Sequence, residues 1–424
     1  MAQEVAFEEY DLANGLHVIL HQDNSAPVIT TGVMYHVGAK DEDPSRTGFA
    51  HFFEHLLFEG TKNIERGKWF DIVSANGGSN NAFTTQDKTY YYEVFPSNSL
   101  ELGLWMEAER MLHPVINQIG VDTQNEVVKE EKRQRIDNAP YGKMIYRTAI
   151  NPYLFKKHPY GQSVIGSMEH LDAAKLEEFI DFSHKFYNPN NAVLVVTGDF
   201  QTDQAKKWIN DYFGSIPNHQ PKHKRTKIVE EPIKNTIKVT EYDSNIQLPL
   251  KLYAYRTPAM KEKDAYALNL ISSILTGGKS SRMYKKMVDT NKSALQVLAF
   301  VDSQEDYGVY LMGALPMSGT SLEQVGKEMD EEIEKLQKDL ISQREFDKLQ
   351  NEIETNFVNS NSNMEGIALS LANYYTFYGD TDLINKEVEI YRSITREDIR
   401  NAAKKYLNKK QRLDLDYLPE SARK

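Results

Sequence analysis

"GFAHFFEHLLFEGT", residues 48–61, places three titratable side chains, His51, Glu54 and His55, inside a run that is otherwise aromatic and aliphatic. Phe49, Phe52, Phe53, Leu56 and Leu57 recur at helical spacing, so the run reads as a helix with an apolar stripe. On such a helix positions 51 and 55 are one turn apart, and their Cβ atoms leave one face about 5–6 Å from each other. Two imidazoles so placed make a chelate for a divalent metal, zinc being the commonest occupant. Glu54 falls beside the pair, where a carboxylate can take a proton from water acidified by the metal. A competing reading makes the histidines hydrogen-bonded core residues and Glu54 an exposed flank. A third ligand separates the two readings, because an open zinc site takes three ligands from the protein.

The candidate lies in "VDTQNEVVKEEKRQRI", residues 121–136, which carries three glutamates. At about 100° per residue, Glu131 shares an arc with Gln124, Val127 and Val128, whereas Glu126 and Glu130 project away from it. That arc is the apolar stripe of the helix. A carboxylate turned inward is costly unless it is paired or metal-bound, so Glu131 is the expected third ligand.

Outward from these two helices the first half reads as mixed α and β. "EVAFEEYDLANGLHVILHQD" alternates around Asn14-Gly15 and predicts two strands with a tight turn. "APVITTGVMYHVG" is a further strand, and "NNAFTTQDKTYYYEVF" predicts two more, with Tyr90, Tyr91 and Tyr92 as sheet packing. Helices are expected from about Ser97 to Asp137 and near Asp172 to Phe186, and "NNAVLVVTGDF" reads as a buried strand. "GSIPNHQPKHKRTKIVEEPIKN" has three prolines and no period, the mark of a linker. Beyond it the order restarts: strands "TIKVTEYD" and "LPLKLYAYRTP", then the helix "DAYALNLISSILTGG", which lies against "AHFFEHLLFEG" without its polar triplet. The expectation is an α+β chain of two homologous domains, 1–215 with the metal site and 235–424 without it, joined by a linker at 216–234.

Bulk properties exclude several classes. With 424 residues the chain exceeds one ordinary core. Its formal charge of -11 provides no basic field for nucleic acid. No apolar run reaches the length of a membrane span. The absence of cysteine rules out disulfides and thiolate metal sites. "Ala-Gln" after the first Met reads as the start of an exported chain, so the periplasm is the expected compartment and the cytoplasm the second choice.

His-x-x-Glu-His followed by a glutamate 76 residues on (131 − 55) resembles the pitrilysin, or inverzincin, family of zinc peptidases, which includes mitochondrial processing peptidase and insulin-degrading enzyme. "NGLHVILHQD", "VGAKDEDPSRTGFAHFFEHLLFEGT", "GGSNNAFTTQDKTYYYEVFP", "VVKEEKRQ", "HPYGQSVIG" and "NPNNAVLVVTGDF" resemble family blocks in order, and "LTGGKSSRMYKKM" does so more weakly in the second half. The resemblance is to the bacterial two-domain type. It implies one zinc per chain held by His51, His55 and Glu131, with Glu54 as general base. It also implies a dimer enclosing a chamber, and substrate added as a strand beside "SNNAFTT", nearest Asn81 and Ala82 and then Asn80 and Thr84. An edge strand suits extended peptide, because its unpaired N–H and C=O groups bind backbone with little sequence preference.

Two positions depart from the family pattern. Gln124 stands where many relatives carry a glutamate that supports the metal site. In "SSRMYKKMVDTNKSALQV", Val288 and Leu295 occupy the places of an arginine and a tyrosine thought to stabilise the oxyanion, while Arg282 and Tyr284 are out of register. The expected partner is therefore a sister chain that lacks the zinc motif and brings those donors, with a homodimer as second choice. The alternative from another class is a non-catalytic, peptide-binding scaffold subunit; a zinc hydrolase of some other amide is a third reading.

Overall fold

The computed structural model describes residues 4–423. The Ala2-Gln3 start read as an export remnant lies outside them.

In the first half the strands are β1 (Glu8–Asp11), β2 (His17–Gln22), β3 (Val28–Tyr35), β4 (Ser79–Thr84), β5 (Thr89–Pro96) and β6 (Ala192–Gly198). Gly15, at φ +86°, makes the turn between β1 and β2. They form one sheet in the order β1-β2-β6-β3-β5-β4. Strands β7 (Ile237–Asp243), β8 (Leu250–Thr257), β9 (Ala294–Asp302), β10 (Gly308–Pro316) and β11 (Arg412–Pro419) form a second sheet in the order β7-β11-β8-β10-β9. From β2 onward the first order superimposes on the second, β1 being an extra strand at the edge of the first sheet. β2 and β6 are parallel, as are β7 and β11; every later pairing in both sheets is antiparallel. The second half is thus a topological copy of the first, and the expected α+β class holds. The linker stretch contains no helix or strand. Among the described residues no helix is long and apolar enough to cross a membrane.

Compact units do not follow the boundaries at 215 and 235. One unit takes the chain up to Lys132 with Gln162–Thr226 and Phe357–Lys386, and the other takes Arg133–Gly161, Lys227–Asn356 and the chain from Glu387 onward. The cause is that each sheet is apolar on both faces and needs cover on both. In the first unit β6 is buried throughout. The helices Phe49–Leu56 and Leu100–Leu112 cover one face of its sheet, and the helix Met364–Asn373, from far along the chain, covers the other by packing on β6 and β3. On that second face Gly32 makes room for Tyr90, whose hydroxyl would lie 2.2 Å from an added Cβ. In the second unit the segment holding Ile150, Leu154, Phe155 and Tyr160 packs against Leu252, Ala254, Leu311 and Leu413. The helices Lys263–Thr276, Leu322–Lys338 and Arg396–Tyr406 cover the opposite face of that sheet.

The helical stretch expected from Ser97 to Asp137 is two helices, Leu100–Leu112 and Gln118–Lys132. Pro114 between them lacks an N–H and disfavours helical geometry at His113.

Candidate metal centre

The helix Phe49–Leu56 is held at both its start and its apolar face. Gly48 precedes it at φ +95°, a conformation suited to glycine. Glu42, almost fully buried, accepts hydrogen bonds from Gly48 N and Ala50 N, both at 2.8 Å. Burial pushes the Glu42 carboxyl well above its usual range, while the two N–H donors pull it back. Phe49 and Phe52 stack on Phe179, at 4.5 and 4.6 Å between ring centroids, and Phe53 lies 4.3 Å from Tyr187.

With the apolar stripe so engaged, His51 and His55 leave another face, their ring centroids 4.8 Å apart. Glu131 arrives from the helix Gln118–Lys132 with Oε2 at 3.2 Å from His55 Nε2 and 3.5 Å from His51 Nε2. Ligands bound tetrahedrally at about 2.0–2.2 Å stand about 3.3–3.5 Å from each other, so the donor set fits a zinc ion. It is the one such cluster of His, Asp and Glu among the described residues. Glu126 and Glu130 are exposed, Glu126 pairing with Lys129 at 2.8 Å. Val128 is fully buried as expected, but Val127 is 44% exposed. The inward stripe is narrower than the arc drawn from the sequence.

β4 is the edge of its sheet, bonded to β5. Thr84 Oγ1 donates to Glu54 Oε2 at 2.6 Å, so the face of β4 with Asn80, Ala82 and Thr84 is the one toward the helix carrying Glu54. Asn81, expected nearest the reacting bond, turns the other way. Its side chain hydrogen-bonds the Tyr92 hydroxyl, and Tyr92 also meets Glu365 of the helix Met364–Asn373. Burial and the Glu365 carboxylate push Tyr92 up to about 12. Tyr90 and Tyr91 are fully buried sheet packing, as expected.

Behind the site, Arg110 lies with its guanidinium 4.1, 4.4 and 4.6 Å from the ring centroids of Trp69, Tyr91 and Phe58. It pairs with Glu93 at 2.9 Å and Glu107 at 3.2 Å, all three side chains being fully buried. Burial, and next the Glu107 charge, raise the Glu93 carboxyl well above its usual range.

Gln124 does not stand alone. Its Nε2 donates to Glu59 Oε1 at 2.5 Å, and Glu59 also pairs with Arg66. Sequence reasoning missed Glu42, Glu59 and Glu365. Glu59, four residues beyond His55, carried a signal in its spacing; Glu365 carried none.

In the second unit Val288 packs against the core and Leu295, at the start of β9, is 44% exposed. Arg282 makes a two-bond pair with Glu345, at 2.8 and 3.0 Å, which accounts for it structurally.

Residues 17–167 match the family model described as insulinase (peptidase family M16), and residues 173–353 the one described as peptidase M16 inactive domain. The zinc protease PqqE of Helicobacter pylori is 31% identical over 369 residues, spanning 87% of this chain and 83% of that protein. A crystal structure of a protease from Helicobacter pylori superimposes with a TM-score of 0.92 at 28% identity, covering 98% of this chain and all of that one. The first half of the periplasmic protease PqqL from Escherichia coli shares the fold, with a TM-score of 0.80 at 16% identity and coverage of 99% of this chain and 93% of that one.

Proposed function

The chain belongs to the insulinase (M16) peptidase family, and from that premise we propose that it is a zinc metalloendopeptidase acting on peptides or unfolded polypeptides. The observation that carries the reading is the convergence of His51, His55 and Glu131 within 4.8 Å. These three residues would hold one zinc. Bound there, the metal supplies Lewis acidity, polarising a peptide carbonyl and making water a better nucleophile near neutral pH. Glu54 accepts the proton from the attacking water and passes it to the departing amine. Thr84 holds that carboxylate in place. The open edge of β4 takes the substrate backbone as an added strand, and its extended geometry favours polypeptide over other amides.

The proposal includes a sister subunit without the zinc motif, enclosing the substrate in a chamber and supplying the oxyanion donors. Val288 and Leu295 cannot donate hydrogen bonds, and Arg282 is held by Glu345. Each missing donor costs on the order of 10²–10³ in rate. A periplasmic location is proposed with it, in keeping with the description of PqqL; cell fractionation tests it.

Metal analysis of the purified chain tests the core reading. One zinc is expected per chain, lost in His55→Ala and Glu131→Gln. Glu54→Gln keeps the metal but abolishes cleavage of an unfolded polypeptide by the co-purified complex. A scaffold subunit would be indifferent to all three changes. Full peptidase activity of the chain as a homodimer would overturn the sister-subunit part alone.

A further inference from the structure

Resting on the zinc reading, we infer that Glu59 and Gln124 form a positioning pair that sets the distance between the two elements bearing the metal ligands. His55 stands one residue before the end of the first of these elements, and Glu59 lies four residues further on, just past the helix, its N–H donating to Leu56 O at 3.0 Å. Gln124 lies two turns before Glu131 on the second. As numbers rise from 55 to 59 on one element they fall from 131 to 124 on the other. The contacts His55–Glu131 at 3.2 Å and Glu59–Gln124 at 2.5 Å are therefore successive rungs between antiparallel neighbours. A change in the second rung is transmitted to the first over a short lever, helical from Gln124 to Glu131 and braced from His55 to Glu59 by Phe58 N donating to His55 O and Glu59 N to Leu56 O.

The second rung is tied on both sides. Arg66 pairs with Glu59 through Nε and donates from its NH2 to Thr123 Oγ1 at 2.8 Å, so one guanidinium spans both elements beside Gln124. Gly120, one turn earlier, faces the same place: an added Cβ would make ordinary van der Waals contact with Glu59 Cγ at 3.5 Å and Leu56 Cδ2 at 3.6 Å. Glu59 is only 9% exposed, and a carboxylate this buried is tolerated where donors converge on it. The amide orientation follows from charge, since Oε1 of Gln124 facing the Glu59 carboxylate would repel it. The rung thus holds one carboxylate and one amide. A second carboxylate at 124, next to Glu59, would push the elements apart.

Exchanging the two groups tests this on the full chain. Zinc affinity is measured by chelator competition at slightly alkaline pH, with the visible spectrum of the cobalt-substituted protein as a second readout of ligand geometry. Gln124→Glu is expected to weaken zinc binding about tenfold or more and to shift the cobalt bands. The exchanged double variant, Glu59→Gln with Gln124→Glu, restores both, with affinity within about fivefold of the original, since the amide–carboxylate bond is re-formed in reverse. Gln124→Glu binding zinc as tightly as the unaltered chain, or a double variant no tighter than that single one, overturns the inference. Should the single variant fail to fold, the double one against the unaltered chain decides alone. If the unaltered chain holds no zinc, the proposed function falls and takes the inference with it. If it holds zinc but the exchange restores nothing, only the inference falls.

Discussion

Replacing Glu42 by alanine probes how the ligand-bearing helix is anchored. Glu42 satisfies two buried donors at that helix's start, Gly48 N and Ala50 N, each at 2.8 Å. Leaving a buried N–H without an acceptor costs about 1–3 kcal/mol. Removing the carboxylate also ends its own desolvation, the main cause of its raised pKa, which returns part of that loss. The net expectation is about 2–4 kcal/mol lost from the first unit. Glu42→Gln keeps one acceptor oxygen and should lose roughly half as much. All three tryptophans, Trp69, Trp105 and Trp208, lie in the first unit, so urea unfolding followed by tryptophan emission reports on that unit selectively. Zinc affinity should fall alongside, since His51 sits one residue beyond Ala50. A stability for Glu42→Ala within about 0.5 kcal/mol of the unaltered chain, the range of an inconsequential surface change, would refute the anchoring role. So would Glu42→Gln costing more than alanine.

Thr84→Val removes the donor to Glu54 while keeping the branched shape of the strand residue. A hydrogen bond to a charged group is worth about 1.5–3 kcal/mol, so kcat should fall roughly 10- to 100-fold with KM and zinc content unchanged and Thr84→Ser restoring most of it; a change in KM alone would make Thr84 a substrate contact instead. Arg282 holds the Glu345 carboxyl down from its ordinary 4.5 to about 2. A depressed folded-state pKa stabilises above the unfolded value and loses that stability as pH falls toward the folded one. After discounting for exposure, Arg282→Ala should cost the second unit about 1–2 kcal/mol at neutral pH. The gap between variant and parent should begin to narrow below the ordinary 4.5 and close toward about 2; hydrogen exchange in the helix Gln343–Ser360 measures it, and a gap independent of pH would contradict the pairing.

The ligand pair was legible because it needs only the helical repeat: His51 and His55 share a face on any helix through those residues. Glu131 followed from the same geometry, although Val127 shows that an angular arc overstates how much of a helix turns inward. The roles within β4 were not legible. Alternation separates Asn80, Ala82 and Thr84 from Asn81, but which set meets Glu54 depends on the helices that cover each face of the sheet. Half of that cover, the helix Met364–Asn373, comes from the other end of the chain. Its period announces an apolar face without naming the sheet that receives it. Val288 and Leu295 were read by alignment, and their surroundings in the structure leave that reading of missing donors standing as an expectation about a partner.

The exchange of segments between the units has a consequence for biosynthesis. A chain emerging from the ribosome presents every strand of the first sheet by Gly198, yet the helix that closes over β3 and β6 begins only at Met364. Until Asn373 has been made, one greasy surface of that sheet stays bare. A gene cut at the linker would yield two fragments, each missing a wall, and neither would be expected to keep out of aggregates.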